Sequence, residues 1–139
     1  MSENYLVLFL LSTLFCLSRQ DQLVSDKCLY CLCVANTNCN LGTGCTKDEP
    51  QVCGPQAITK LYWIDCGELE DSYESCTNNL YCANECIENY MQRYKRDCDG
   101  NSEINCLDFA AIHRLGPSGC LTSSLPEDYK NALVNCLKP

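Results

Sequence analysis

Apolar side chains in this chain occur in three kinds of stretch. Residues 5–17, YLVLFLLSTLFCL, are almost continuously apolar. That run is too short to span a bilayer and has the length of a secretion-signal core. Cys16 and Ser18 make a small-x-small pattern, which predicts a signal peptide over residues 1–18 with cleavage after Ser18. Glu3 and the lack of Lys or Arg at its start are atypical, and a membrane anchor is the alternative. The remaining domain, 19–139, has no second apolar run and is expected to be soluble.

The second kind has apolar positions at helical spacing. A first helix, capped by Ser25 or Asp26, turns Leu29, Leu32 and Cys33 inward. Pro55 sits where a short helix can begin, with Ile58, Leu61, Tyr62 and Ile64 as its apolar side. The longest helix is predicted over 79–96, with Leu80, Ala83, Ile87, Met91 and Tyr94 as one buried stripe. Cys82 and Cys86 lie on that side and can tie it to neighbours. A further helix over 103–114 buries Ile104, Leu107, Phe109 or Ala110, and Ala111, and stops at Gly116-Pro117. The last helix has Ser124 as cap, Pro126 in the first turn and Glu127 closing a capping box.

The third kind has no period. Residues 36–53 are rich in Asn, Thr and Gly, which predicts loop with a small hairpin, pinned by Cys39, Cys45 and Cys53. Residues 67–75 read as an acidic connector. The expected fold is α+β and mostly helical, a small disulfide-rich domain with a short irregular or β lobe. A groove between lobe and helical body is a natural binding site.

Cysteine sharpens this picture. Fourteen of the 15 cysteines follow the apolar start: Cys28, Cys31, Cys33, Cys39, Cys45, Cys53, Cys66, Cys76, Cys82, Cys86, Cys98, Cys106, Cys120 and Cys136. An even set in an exported chain predicts seven bridges, with the pairing left open by spacing. Cys28-x-x-Cys31-x-Cys33 also has metal-ligand spacing, but thiols in an oxidising compartment pair with each other, so no metal and no cofactor are expected. The formal charge is −8, and −7 once Glu3 leaves with the signal. Such a balance disfavours nucleic acid, anionic membranes and steering onto an anionic bacterial wall.

The order of the motifs is specific. Cys28 to Cys33, Cys-Leu-Tyr-Cys-Leu-Cys, is similar to C-L-x-C-I-C. Cys53-Gly54-Pro55, Ile58 and Tyr62-Trp63-Ile64-Asp65-Cys66-Gly67 resemble C-G-P-F-Q-I…Y-W-x-D-C-G. Cys82-Ala83 with Asn89-Tyr90-Met91-Gln92-Arg93-Tyr94, and then Ala110 to His113 with Gly116-Pro117-Ser118-Gly119-Cys120, follow C-A…N-Y-M-x-R-Y and A-R-x-H-N-G-G-P-x-G-C. From Cys28 to Cys136 the chain resembles the invertebrate-type lysozymes, the group that includes destabilase. The resemblance implies a lysozyme-like fold and an ancestry of cutting the β-1,4 bond of peptidoglycan or a related amino-sugar glycan in defence or digestion; a monomer is expected. That chemistry needs a general acid and a nucleophile or stabiliser, about 5–5.5 Å apart when configuration is retained, with environments that keep one protonated.

One of the two is substituted. In the family the first helix continues into E-S-x-C, whose Glu is the general acid; Asn36 stands there, followed by Thr37-Asn38-Cys39. An amide has no proton to give, and general acid catalysis is worth about 10²–10⁴-fold. Cys45-Thr46-Lys47-Asp48 preserves the second carboxylate, which makes Asp48 the nucleophile or stabiliser position. Glu49 is the nearest substitute acid, and its plain reading is a solvated loop residue. The serine that the family ties to isopeptidase activity has no match in Pro50-Gln51-Val52-Cys53. Gln56-Ala57 replaces a Phe-Gln pair placed in the cleft, and Arg114-Leu115 replaces Asn-Gly beside His113. Tyr62, Trp63 and His113 are candidate substrate-binding residues, with core packing or capping as the competing reading. Three functions follow: a residual muramidase, a glycan-binding relative without catalysis, or a secreted disulfide scaffold for a protein partner.

Overall fold

The structure, a computed structural model, describes residues 21–139, so the predicted signal peptide and its cleavage point lie outside the described residues. Among the described residues six helices and a two-stranded sheet follow one another. They are α1 Asp26–Thr37, β1 Val52–Cys53, β2 Ile58–Thr59, α2 Lys60–Asp65, α3 Tyr73–Asn78, α4 Leu80–Tyr94, α5 Cys106–Gly119 and α6 Glu127–Leu137.

The Ser25 hydroxyl caps α1 by accepting from the Cys28 amide at 3.2 Å, leaving Asp26 in the first turn. The helix buries Cys28, Leu29, Cys31, Leu32 and Cys33 and ends at Asn38, whose φ of 54° is left-handed. Cys31–Cys136 and Cys28–Cys106 fasten it to α6 and to the start of α5. The pattern-free stretch after it supplies only β1: the hairpin is antiparallel with Val52 opposite Thr59 and Cys53 opposite Ile58, so its turn and second strand lie beyond the 36–53 expected to hold it. Cys33–Cys39 and Cys45–Cys53 pin this lobe. Gly54 turns the hairpin at φ 76°, pressed so close to α3 that a Cβ would lie 1.7 Å from the Thr77 carbonyl oxygen.

Four elements differ from the sequence expectation. The helix expected at Pro55 begins at Lys60, because Gly54 to Ala57 form the hairpin turn and Ile58 belongs to β2. With one and a half turns left, α2 buries Tyr62 and Trp63 and leaves Leu61 75% and Ile64 43% exposed. The acidic connector contains the start of α3, capped by Ser72 and burying Tyr73, Cys76 and Thr77, three and four residues apart. In α5, Asn105 and Asp108 form a capping box, so the helix starts after Ile104, which is exposed. Gly116, at φ 82°, breaks α5 rather than ending it, and a further turn runs through Pro117 to Gly119. In α6 Pro126 occupies the cap position with no side-chain hydrogen bond, so neither Ser124 nor a capping box starts it.

The longest helix, α4, carries Cys82, Ala83, Cys86, Ile87, Tyr90 and Met91 on its buried side. As expected, its two cysteines tie it to neighbours, Cys82 to Cys76 and Cys86 to Cys66. Cys98–Cys120 completes the set, so all fourteen cysteines pair into seven bridges. One core unites these elements, from Val24 and Leu32 through Ile58 and Ile87 to Ile112 and Leu133.

Candidate functional site

Asn36 lies in the last turn of α1, partly buried, where the helix meets the small lobe. The neighbouring Thr37 hydroxyl donates to the Pro55 carbonyl oxygen at 2.8 Å and holds the helix end against the hairpin turn. The Asn36 Nδ2 group is buried and has no hydrogen-bond acceptor. Asp48 sits at the exposed tip of the loop between Cys45 and β1. That loop is closed at its base by the Thr46 amide donating to the Val52 carbonyl and the Val52 amide donating to the Thr46 hydroxyl, at 2.9 and 3.1 Å. Among the described residues the Asp48 carboxylate has no hydrogen-bond or ion-pair partner, and Glu49 beside it is also exposed. No hydrogen bond joins Asn36 to Asp48 or to Glu49.

Tyr62 and His113 are brought together, and Gln56 joins them. The Gln56 backbone carbonyl can only accept, so His113 donates to it through Nε2 at 2.8 Å. That fixes the neutral tautomer, and Nδ1 accepts from the Tyr62 hydroxyl at 3.1 Å. Burial lowers the His113 pKa to about 4; the bond to Gln56 works the other way, and Arg114 adds to the lowering. The Tyr62 ring stacks on Tyr90 at 3.6 Å and meets the edge of His113 at 5.2 Å. Burial, then the neighbouring Tyr90, pushes the Tyr62 hydroxyl well above its ordinary pKa, so it stays protonated. Trp63 points elsewhere, its indole N–H donating to the Leu69 carbonyl at 3.0 Å.

The side chain of Gln56, fully buried, does not stand in a cleft. Its Nε2 donates to the Leu29 carbonyl at 2.9 Å and to Asn84 Oδ1 at 2.8 Å, tying α1 to α4. The partnership of Gln56 with His113 has no periodic or motif signal; what is legible is Tyr62, on the expected apolar side of its helix, as a packing residue.

Two cavities lie away from these residues. One of about 560 Å³ lies between α5 and the start of α6, lined by Leu107, Ala111, Leu125 and Lys130 among others. The other, of about 290 Å³, lies between α1 and α4. Neither is lined by Asn36, Asp48, Tyr62, Trp63 or His113. Carboxylate oxygens of Asp97, Asp99 and Asp108 lie within 4.8 Å of one another, the one such group among the described residues. Each already accepts backbone amides, and the Ser102 amide is the main cause that holds the Asp97 carboxyl below its usual pKa.

Comparison with known proteins agrees with the fold. The Destabilase family profile matches residues 25–136. A lysozyme of Ostrea edulis is 37% identical over 93% of this chain and 93% of its own. Invertebrate-type lysozyme 3 of Caenorhabditis elegans is 35% identical, covering 81% of this chain and 86% of its own. Meretrix lusoria lysozyme, solved in complex with Aeromonas hydrophila PliI, superposes with a TM-score of 0.69 at 37% identity over 81% of this chain and 89% of its own. The chain belongs to the destabilase family, the invertebrate-type lysozymes.

Proposed function

We propose that this protein is a secreted invertebrate-type lysozyme relative that binds amino-sugar glycan and cleaves it weakly or not at all. The observation that carries this reading is Asn36. It holds the place of the general acid at the end of α1, and an amide cannot protonate a leaving oxygen. Asp48 keeps the second carboxylate position, and Glu49 is an exposed neighbour on the same loop tip rather than a carboxyl set in an apolar pocket.

In this reading Tyr62, Trp63 and His113 act on substrate from beneath. Tyr62 and Trp63 are each only 8% exposed, so they support the lobe from the core more than they offer ring faces to sugar. Residues 1–18 are the export signal, and 19–139 act as a monomer outside the cell. Seven bridges suit that compartment, and no helix among the described residues is long and apolar enough to cross a membrane. Digestion of wall fragments fits the acidic charge better than attack on an intact anionic envelope.

The test is paired. Calorimetry with peptidoglycan fragments and chitin oligomers should show saturable binding, while release of reducing ends from the same oligomers stays within error of an Asp48→Ala control. Rapid release at acidic pH, well above that control, contradicts the loss of cleavage. Absence of binding to every glycan contradicts the glycan reading and leaves the protein scaffold.

A further inference from the structure

Residues 97–108 run from just after α4 into the first turn of α5 and read Asp-Cys-Asp-Gly-Asn-Ser-Glu-Ile-Asn-Cys-Leu-Asp. A twelve-residue calcium loop takes oxygen ligands from its first, third, fifth, seventh and twelfth positions, the seventh through its backbone carbonyl. Those positions hold Asp97, Asp99, Asn101, Glu103 and Asp108. Two residues depart from the pattern. Ser102 stands at the sixth position, where the pattern has glycine, and adopts a left-handed φ of 71°. Asp108 replaces Glu at the twelfth and keeps the carboxylate on a shorter arm.

The second observation is a buried charge without a counter-charge. Asp108 is 1% exposed, and among the described residues no Lys, Arg or His forms an ion pair with it, although Lys130 lines the same cavity. Its carboxylate accepts from the Cys98 and Asn105 amides, at 2.8 and 2.9 Å, one on each oxygen. A carboxylate has about four lone-pair sites, so half of them stay free. Buried charges are paired or coordinate metals. Here the charges gathered beside Asp108, with oxygens within 4.8 Å, are the carboxylates of Asp97 and Asp99, which repel it. The cavity of about 560 Å³, lined by Asp99 and Asp108, opens the cluster to solvent. The sequence spacing and the uncompensated charge are separate facts, and both select a cation.

We propose that this loop is a calcium site, with side-chain oxygens of Asp97, Asp99, Asn101 and Asp108 and the Glu103 carbonyl as its protein ligands. The donors are all oxygen, which suits a hard cation. Calcium takes six to eight such ligands in flexible geometry, whereas magnesium demands a near-ideal octahedron and gives up its waters reluctantly. Thiolates take no part. Cys98 and Cys106 are bridged to Cys120 and Cys28, which anchors the loop near both ends. The expectation of no metal concerned cysteine ligands, and an oxygen site lies outside it. Bound calcium would hold the end of α4 to the start of α5. The site is separate from the glycan reading and stands or falls without it.

The experiment is a titration of the full secreted chain, stripped with chelator and isotope-labelled for NMR, with calcium chloride. Saturable shifts centred on Asp99, Gly100 and Asn101 are expected, with Kd on the order of 10⁻⁴–10⁻³ M, the range of extracellular calcium modules. The melting temperature of the parent should rise with calcium, return with chelator and respond less to magnesium. Asp99→Asn, at an exposed position, should weaken binding about tenfold or more. Glu103→Gln, also exposed, should change it by less than about twofold, because the seventh position binds through its backbone. Equal weakening by Glu103→Gln would show diffuse attraction to an acidic surface and overturn the proposal. No saturation by about 10 mM calcium, or magnesium binding as tightly at the same residues, would overturn it too.

Discussion

The imidazole Nε2 of His113 lies 2.8 Å from the backbone carbonyl oxygen of Gln56, a bond that joins α5 to the hairpin turn and forces the ring to spend its other nitrogen on Tyr62. Both nitrogens serve the fold, so this histidine has no free lone pair with which to act as a base. Its pKa, lowered to about 4 from 6.5 by burial, carries a pH signature. The unfolded chain binds the extra proton throughout that interval and the folded chain does not. Stability from this group is therefore full above about pH 6.5 and is lost as pH falls toward 4, by up to about 3 kcal/mol. His113→Gln should flatten the pH dependence of the melting temperature across that window, and an NMR titration should place the imidazole midpoint well below 6.5.

Asn36 makes a separate prediction. Its Nδ2 is buried without an acceptor, and a buried unsatisfied donor costs about 1–3 kcal/mol. Asn36→Ala removes that donor and breaks no hydrogen bond, so chemical denaturation should find it within about 1 kcal/mol of the parent or more stable. A loss above about 3 kcal/mol would show that the amide has a partner in solution.

Of the lobe's glycines, Gly54 makes the tightest approach to another backbone. An added Cβ at φ 76° would meet the Thr77 carbonyl oxygen at 1.7 Å, and neither the hairpin nor α3 can give way cheaply. Gly54→Ala is expected to cost about 3 kcal/mol or more, read as a lowered urea midpoint. An unchanged midpoint would mean that lobe and helix are not packed this closely.

Cys31–Cys136 closes the longest loop, with a sequence separation of 105, and fastens the first helix to the last. Replacing both cysteines by serine should remove about 2–5 kcal/mol. Cys33–Cys39 spans only 6 residues, and its removal should cost less in the chain-entropy account. Thermal melts of the two double variants compare them directly.

These elements also show what sequence can carry. The 79–96 stripe is long and strictly periodic, so α4 and its burial of Ala83, Ile87 and Met91 are legible from spacing alone. The even cysteine count yields seven bridges but no pairing, because pairing depends on which helix ends meet in space. Short helices are the opposite case. In α2, Tyr62 is buried as its spacing predicts, but burial of Trp63 in place of Leu61 and Ile64 is settled by the hairpin that fixes its start, a tertiary effect without local signal. The cap of α6 fails similarly: Ser124 offers the right chemistry, yet the helix begins beyond it. At the site, the identities of Asn36 and Asp48 are read from motif position. The Gln56–His113–Tyr62 chain is invisible there, since its central contact is to a backbone carbonyl.

The decisive measurement is side-by-side hydrolysis of bacterial cell walls and chitin oligomers by the parent protein and its Asn36→Glu variant, across acidic to neutral pH. The account predicts near-background release by the parent and a gain of about tenfold or more when the carboxyl is restored, abolished again by adding Asp48→Ala. Brisk hydrolysis by the parent, unaffected by either change, would contradict it.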